Sequence, residues 1–282
     1  MKPAPFAYTR PGNVAEALDA LHQSGGEARV IAGGQSLVPM LNMRLARPAL
    51  LVDIMQIEAL RRVEDRGGLL TIGAGVRQRA LETRADLPQR QPLLAMVLPS
   101  LGHLQTRSRG TVCGSVAHAD PSAELPLALV ALEGTVHLRS ARKRRQVAAE
   151  AFFTGMMATA RTDDELIEAV SVPVAQPGLG YAFREISRRH GDYAIAGFAA
   201  VAGESGVRLA VGGVASSPQA RRMPADAGLD DALDSFAWDL DARDDLHASA
   251  RYRRELVRRI GREVVREAVR DRDLRRTRQE AA

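Results

Sequence analysis

Apolar residues recur along this chain with two different periods, and the changes from one period to the other mark its elements. Asn13-Val14-Ala15-Glu16 has the form of a helix N-cap with an acid three residues on that reaches back to it. Val14, Ala17, Leu18 and Leu21 then fall on one helical face. Gly25-Gly26 ends that helix. Residues 29–32 read as a strand, a glycine turn follows, and a short helix starts at Leu37. Leu50-Leu51-Val52-Asp53 reads as a second strand, which gives a small βαβ-like lobe ending near residue 58. Further on, residues 68–75 predict a strand, 92–98 the start of a helix, 125–132 another helix, and 135–138 and 171–173 two more strands. The run Pro173-Val174-Ala175-Gln176-Pro177-Gly178-Leu179-Gly180 is the expected domain boundary, because Pro and Gly interrupt both periods. Beyond it, residues 181–184, 194–202 and 207–211 predict strands of a separate sheet, and the polar stretch 215–235 a helix or loop. Leu256, Ile260, Val264 and Ala268 form the apolar face of an amphipathic helix. Strands and helices without strict alternation favour an α+β fold over a doubly wound sheet. The expected division is a first domain over 1–175, with lobes 1–58 and 59–175, and a C-terminal domain over 176–282.

Composition narrows the class. A chain of 282 residues, 45% hydrophobic and 26% charged, is long enough to bury a full core. No stretch approaches about 18 uninterrupted apolar residues and no apolar leader follows Met1, so a cytoplasmic protein with no transmembrane segment is expected. One cysteine, Cys113, excludes an internal disulfide and cannot supply the ligand set of an iron–sulfur cluster or a structural zinc. Any redox centre held by this chain must therefore be organic. The net charge of +5 permits a polyanionic partner. The arginines of 251–278, however, alternate with Glu255, Glu263, Glu267, Asp271 and Asp273, as on a solvated or subunit-facing helix, and no aromatics interleave as a base-stacking platform requires. Nucleic acid is not an expected partner.

The chemistry concentrates in two turns. Val30-Ile31-Ala32 stops at Gly33-Gly34-Gln35-Ser36, and Gly110-Thr111-Val112-Cys113-Gly114-Ser115 precedes Ala117-His118-Ala119-Asp120-Pro121. Glycine lets backbone N–H groups approach an anion, and the hydroxyls of Ser36, Thr111 and Ser115 add donors, so two such loops suit one phosphate-bearing ligand. The first turn also opens a helix, where unpaired N–H groups favour a pyrophosphate. Gly73-Ala74-Gly75 lacks the third glycine of a dinucleotide fingerprint and reads as a turn. His118, Asp120 and Glu124 lack the second ligand cluster a metal needs, and Ser115 lacks the surroundings of a nucleophile elbow. Asp120-Pro121 is expected to initiate a helix, and Asp120 or Glu124 to accept from ligand hydroxyls. Tyr193, on a loop, either packs or lies over a planar ring.

The wording of the two turns, Ala32-Gly33-Gly34-Gln35-Ser36 before Leu37-Val38-Pro39 and Arg109-Gly110-Thr111-Val112-Cys113-Gly114-Ser115, resembles the FAD-binding loops of the medium subunit of carbon monoxide dehydrogenase and its xanthine dehydrogenase-type relatives, the molybdenum hydroxylases. The likeness continues through Leu45-Ala46-Arg47-Pro48, through 118–126, through Phe152-Phe153-Thr154-Gly155, from Phe183-Arg184-Glu185-Ile186 to Asp192-Tyr193, and at His247-Ala248-Ser249 before Tyr252-Arg253. It implies an α+β fold with a two-lobed FAD-binding domain, of the PCMH/vanillyl-alcohol-oxidase-like type, followed by a small α+β C-terminal domain. It implies FAD as cofactor, with Ala32, Gly33, Gly34, Gln35 and Ser36 around the pyrophosphate and Thr111, Val112, Cys113, Gly114 and Ser115 closing from the other lobe. Asp120 and Glu124 match acidic positions near the flavin and ribityl chain, and Arg184 and Tyr193 match positions near the isoalloxazine. Gln35 stands where the family often has His, and Cys113-Gly114-Ser115 where it has Gly-Gly-Asn. The same resemblance implies a large partner carrying the molybdenum cofactor, a small partner carrying two iron–sulfur clusters, and a dimer of heterotrimers. This chain would then pass electrons from the clusters through FAD to an external acceptor, with no catalytic residue and no metal ligand of its own. A self-contained FAD-dependent oxidase of the same fold is the alternative, and a basic binding module without flavin a third reading.

Overall fold

The computed structural model describes residues 2–280. In the first lobe, β1 (Ala7–Thr9), α1 (Val14–Gln23), β2 (Ala28–Ile31), α2 (Leu37–Asn42) and β3 (Leu50–Asp53) form a parallel sheet in the order β1-β3-β2. The Asn13 side chain accepts from the Glu16 N–H at 3.0 Å and donates to the Glu16 carboxylate at 2.8 Å, so both halves of the expected capping arrangement form. Val14, Ala17, Leu18 and Leu21 are buried beneath it.

The second lobe opens with β4 (Val63–Arg66) and β5 (Leu69–Gly73) and closes with β6 (Thr135–Arg139), β7 (Arg144–Ala148), β8 (Phe153–Gly155), β9 (Ala158–Thr159) and β10 (Leu166–Pro173). Five of these make an antiparallel sheet, β4-β5-β10-β6-β7, and β8 pairs with β9. Between β5 and β6 run α3 (Gln78–Glu82), α4 (Leu87–Arg90), α5 (Pro92–Val97), α6 (Leu104–Arg109), α7 (Val112–His118) and α8 (Glu124–Ala131), and α9 (Ala149–Phe152) follows β7. One element is added to the expected set and one expectation is corrected. The hairpin partner β4 was not foreseen, because this edge strand exposes Glu64, Asp65 and Arg66 and carries no apolar alternation. Asp120 does not initiate α8 directly: its carboxylate accepts from the Ser122 N–H at 2.8 Å in a local turn, and the N-cap is Ala123.

The C-terminal part is a meander of β11 (Gly180–Ile186), β12 (Ala196–Gly203), β13 (Gly206–Gly212) and β14 (Gln219–Met223), with α10 (Leu229–Asp239) and α11 (Ala250–Glu280). The stretch 215–235 thus holds a strand and the start of a helix. Alternation along the strands decides the layers. Phe198, Ala200, Leu209 and Val211 pack with α10 and α11, whereas Ala199 and Ala210 join the core of the first domain. The element between the two is α8, apolar all round and buried from Leu125 to Ala131. Among the described residues, no helix is long and apolar enough to cross a membrane.

Candidate functional site

The two glycine turns meet. A Cβ on Gly33 would lie 2.3 Å from the Arg109 carbonyl oxygen and 2.6 Å from the Gly110 Cα, so the β2–α2 turn and the α6–α7 turn touch backbone to backbone. Gly34 takes a φ of +72°, which a side chain would strain. Around this contact opens a cleft of about 630 Å³, lined by both lobes and by the β11–β12 loop. That volume lies within the roughly 300–1,000 Å³ typical of small-molecule sites.

The loops present unsatisfied donors. Among the described residues nothing accepts from the backbone N–H groups of Gly33 to Leu37, and the hydroxyls of Ser36 and Ser115 bond to no protein group. Thr111, the N-cap of α7, turns its hydroxyl inward to accept from the Gly114 N–H at 3.0 Å. The α6–α7 turn is held from below by α3: the Gln78 N–H donates to the Gly110 carbonyl at 2.8 Å, and the Val112 N–H to the Val76 carbonyl at 3.1 Å. Ala32, Gly33, Gly34, Gln35 and Ser36 all line the cleft, as do Thr111, Cys113, Gly114, Ser115, Asp120, Glu124 and Tyr193.

Two residues named from the sequence lie elsewhere. Val112 is 2% exposed and points into the core, because Val112 and Val116 share the inner face of α7. Arg184 lies outside the cleft lining and forms ion pairs with Glu263 and Glu267 of α11, on the opposite face of the C-terminal sheet. The cleft also gains Gln78, Arg29, Arg161 and Asp163, which the sequence reading passed over, and His118, which it did not assign to the ligand. Gln78 follows a glycine turn with no motif of its own, so only the pairing of Arg77 with Thr111 brings it to the site. At one end of the cleft, Arg29 reaches from the first lobe to Asp163 of the second at 3.3 Å. Behind that pair, the buried Glu165 is held by Arg145 at 2.6 Å, which with the Thr162 N–H keeps its pKa down to about 2.

The other end is acidic and uncompensated. Burial, with the nearby carboxylates of Glu185 and Asp120, pushes Glu124 up to about 8. Burial likewise raises Glu185 to about 7. Partial burial and the same carboxylates, Asp120 and Glu124, raise the phenol of Tyr193. The Cys113 thiol is packed under the second loop, 3.5 Å from the Ile72 carbonyl oxygen, and burial pushes it up to about 12. Such a thiol is neutral and unreactive at any physiological pH.

These features fit FAD. A diphosphate requires convergent N–H and O–H donors without protein partners, and the loop contact supplies them. The description "FAD binding domain in molybdopterin dehydrogenase" belongs to the family model that matches residues 4–175. The chain is 37% identical over 273 residues to the 6-hydroxypseudooxynicotine dehydrogenase complex subunit alpha of Paenarthrobacter nicotinovorans, covering 92% of each chain. To the nicotine 6-hydroxylase medium subunit of the same organism it is 34% identical over 284 residues, covering 95% of this chain and 99% of the relative. Among solved structures, it matches a chain of reconstituted CO dehydrogenase from Oligotropha carboxidovorans with a TM-score of 0.91 at 30% identity, over 96% of this chain and 100% of that one. Cleft, loops and relatives agree: the chain belongs to the FAD-binding medium subunits of the molybdenum hydroxylases and is the flavoprotein component of a multi-subunit oxidoreductase.

Proposed function

We propose that this subunit carries electrons and does not oxidise the substrate itself: it receives them from iron–sulfur clusters on a small partner and delivers them through FAD to an external acceptor. A large partner carrying the molybdenum cofactor oxidises the substrate, and the complex assembles as a dimer of heterotrimers. The observation that carries this reading is a cleft built to hold a dinucleotide, beside a cysteine that is buried and unreactive. Clusters therefore belong on another chain. The N–H groups of Gly33 to Leu37 and the hydroxyls of Ser36 and Ser115 bind the diphosphate, and Gly114 allows the second loop to approach it. Ala32, Gln35, Thr111 and Cys113 shape the loops, with Thr111 and the Cys113 thiol turned into the protein. Asp120, Glu124 and Tyr193 stand at the ring and ribityl end, while Arg184 and Val112 have structural duties. FAD supplies the step between one-electron donors and a two-electron acceptor, and the protein supplies binding and orientation.

The test is anaerobic mixing of the FAD-loaded chain with an N-heterocycle such as nicotine, a purine, an aldehyde and carbon monoxide. Dithionite is expected to bleach the flavin, and none of the four substrates is, until the two partner subunits are added. Direct bleaching by one of them would identify a self-contained oxidase and overturn the proposal.

A further inference from the structure

We propose that Glu185 is a positioning residue for the cofactor cleft. Reaching from the C-terminal sheet, its unpaired carboxyl group adds to burial in favouring the protonated acid at Glu124, so the first turn of α8 offers the cleft an O–H donor instead of a second negative charge. The inference rests on the reading of this cleft as the FAD site.

The placement follows from register. Glu185 on β11 pairs directly with Gly197 on β12, and directly paired residues face the same side of a sheet. A Cβ on Gly197 would come 2.9 Å from Leu127 Cδ2, so that side carries α8. Leu127 lies three residues after Glu124, on the same face of the helix. Glu185 is thereby aimed at the first turn of α8, while its neighbour Arg184 points the other way, to Glu263 and Glu267. Glu185 Oε2 is buried and has no hydrogen-bond partner. Among the described residues, neither Glu124 nor Glu185 forms an ion pair.

Among the described residues, the cations of the surrounding elements are exposed or engaged elsewhere: Arg188, Arg189 and His190 of the β11–β12 loop are exposed. Helix α5 and strand β12 carry no charged side chain, and α7 contributes His118. Arg208 of β13 lies at the far end of α8, where it bonds the Val130 carbonyl and pairs with Glu133 and with Glu150 of α9. On β14, Arg221 pairs with Asp239 and Arg222 bonds Ser205. Asp120 and Tyr193, from the flanking loops, add acidic groups. Two partly buried carboxyl groups so placed cannot both ionise cheaply: burial first, then the neighbouring carboxylates of Glu185 and Asp120, displaces Glu124 upward, while burial alone raises Glu185. For the cofactor the consequence is direct: an acid donates to a carbonyl or hydroxyl oxygen, whereas a carboxylate beside Asp120 repels an anionic ligand.

Two titrations test this. Infrared spectroscopy of the cofactor-free chain follows the C=O stretch of protonated carboxyl groups against pH. A deprotonation step near pH 8 is expected in the wild type and is lost in Glu124→Gln. In Glu185→Gln it is expected to move down by about one pH unit, and Glu185→Asp, which keeps the charge, returns it toward the wild-type position. FAD affinity, read by fluorescence quenching, is expected to fall about tenfold between about pH 7 and pH 9 in the wild type and to stay level in Glu124→Gln. A Glu185→Gln titration that superimposes on the wild type overturns the inference whatever FAD does. A chain that titrates as expected yet binds no FAD at any pH supports the Glu185–Glu124 coupling and overturns the cofactor reading instead.

Discussion

At the scale of single residues, the structure changes the reason for a glycine more than its importance. From the sequence, Gly33 reads as a gap left for a phosphate; in the fold, the first thing a side chain meets there is the Arg109 carbonyl, 2.3 Å away. Gly33→Val is therefore expected to push the two loops apart and lose at least two charge-assisted hydrogen bonds to the diphosphate. That is about 3 kcal/mol, or a hundredfold in FAD affinity. Equilibrium dialysis measures it, and full flavin occupancy after purification would remove Gly33 from the site. Cys113→Ser should behave oppositely. The serine hydroxyl retains a donor toward the Ile72 carbonyl, no thiolate is lost, and flavin content and turnover of the assembled complex should stay within about twofold, with stability lower by about 1 kcal/mol. A dead complex with flavin still bound would assign the thiol a duty it lacks here. The two loops were legible because glycine and hydroxyl residues cluster there. Glu185 was not singled out, since the choice between it and Arg184 is one of strand register, and a one-residue change of register exchanges the faces.

At the scale of elements, periodicity located α1, α8, α11 and the central strands, read α10 only as part of a polar helix or loop, caught only the end of β10, and missed the polar edge strands. Strand β14 runs Gln-Ala-Arg-Arg-Met and β4 runs Val-Glu-Asp-Arg; both are polar edge strands, visible only once a neighbour pairs with them. Helix α11 spans 31 residues, far beyond the four apolar positions that announced it, because its outer faces carry arginine–carboxylate pairs. Its first turn also reaches the site. Arg253, 2% exposed, donates to the carbonyls of Ile195 and Gly213 and pairs with Asp245. The Gly213 N–H in turn holds the Pro121 carbonyl at 2.6 Å, next to Asp120. Arg253→Ala leaves two carbonyls and a carboxylate without their partner, so a loss of about 3–5 kcal/mol in unfolding free energy is expected. FAD affinity should weaken alongside, as the Asp120 loop loosens. Urea titration and dialysis measure the two effects, and a variant of unchanged stability would contradict the buried clamp.

At the scale of the whole molecule, the Pro/Gly run around residue 175 led to an expected boundary, but nothing local indicated that the parts on either side of it share a helix. No local period reveals that the apolar faces of α8 serve both sides, so the approach of Glu185 from one part to Glu124 in the cleft lining had no signature of its own. Its charge has a global consequence. Glu124 is raised in the fold from 4.5 to about 8, so its stabilising contribution is complete below pH 4.5 and is lost as pH rises toward 8, where only the unfolded chain has already released the proton. Glu165 runs the other way: held at about 2 by Arg145, it stabilises the fold above pH 4.5 and ceases to do so as pH falls through 2. The two windows adjoin, and the stability contributed by this pair of groups peaks near 4.5, the ordinary value that both carboxyl groups share. Thermal unfolding of the apo chain at about pH 5 and about pH 9 should therefore show a lower midpoint at the alkaline value. Glu124→Gln should narrow that difference, because its side chain does not ionise, whereas a surface substitution such as Glu58→Gln should not. Equal differences in all three proteins would place the alkaline loss elsewhere and leave Glu124 an ordinary carboxylate.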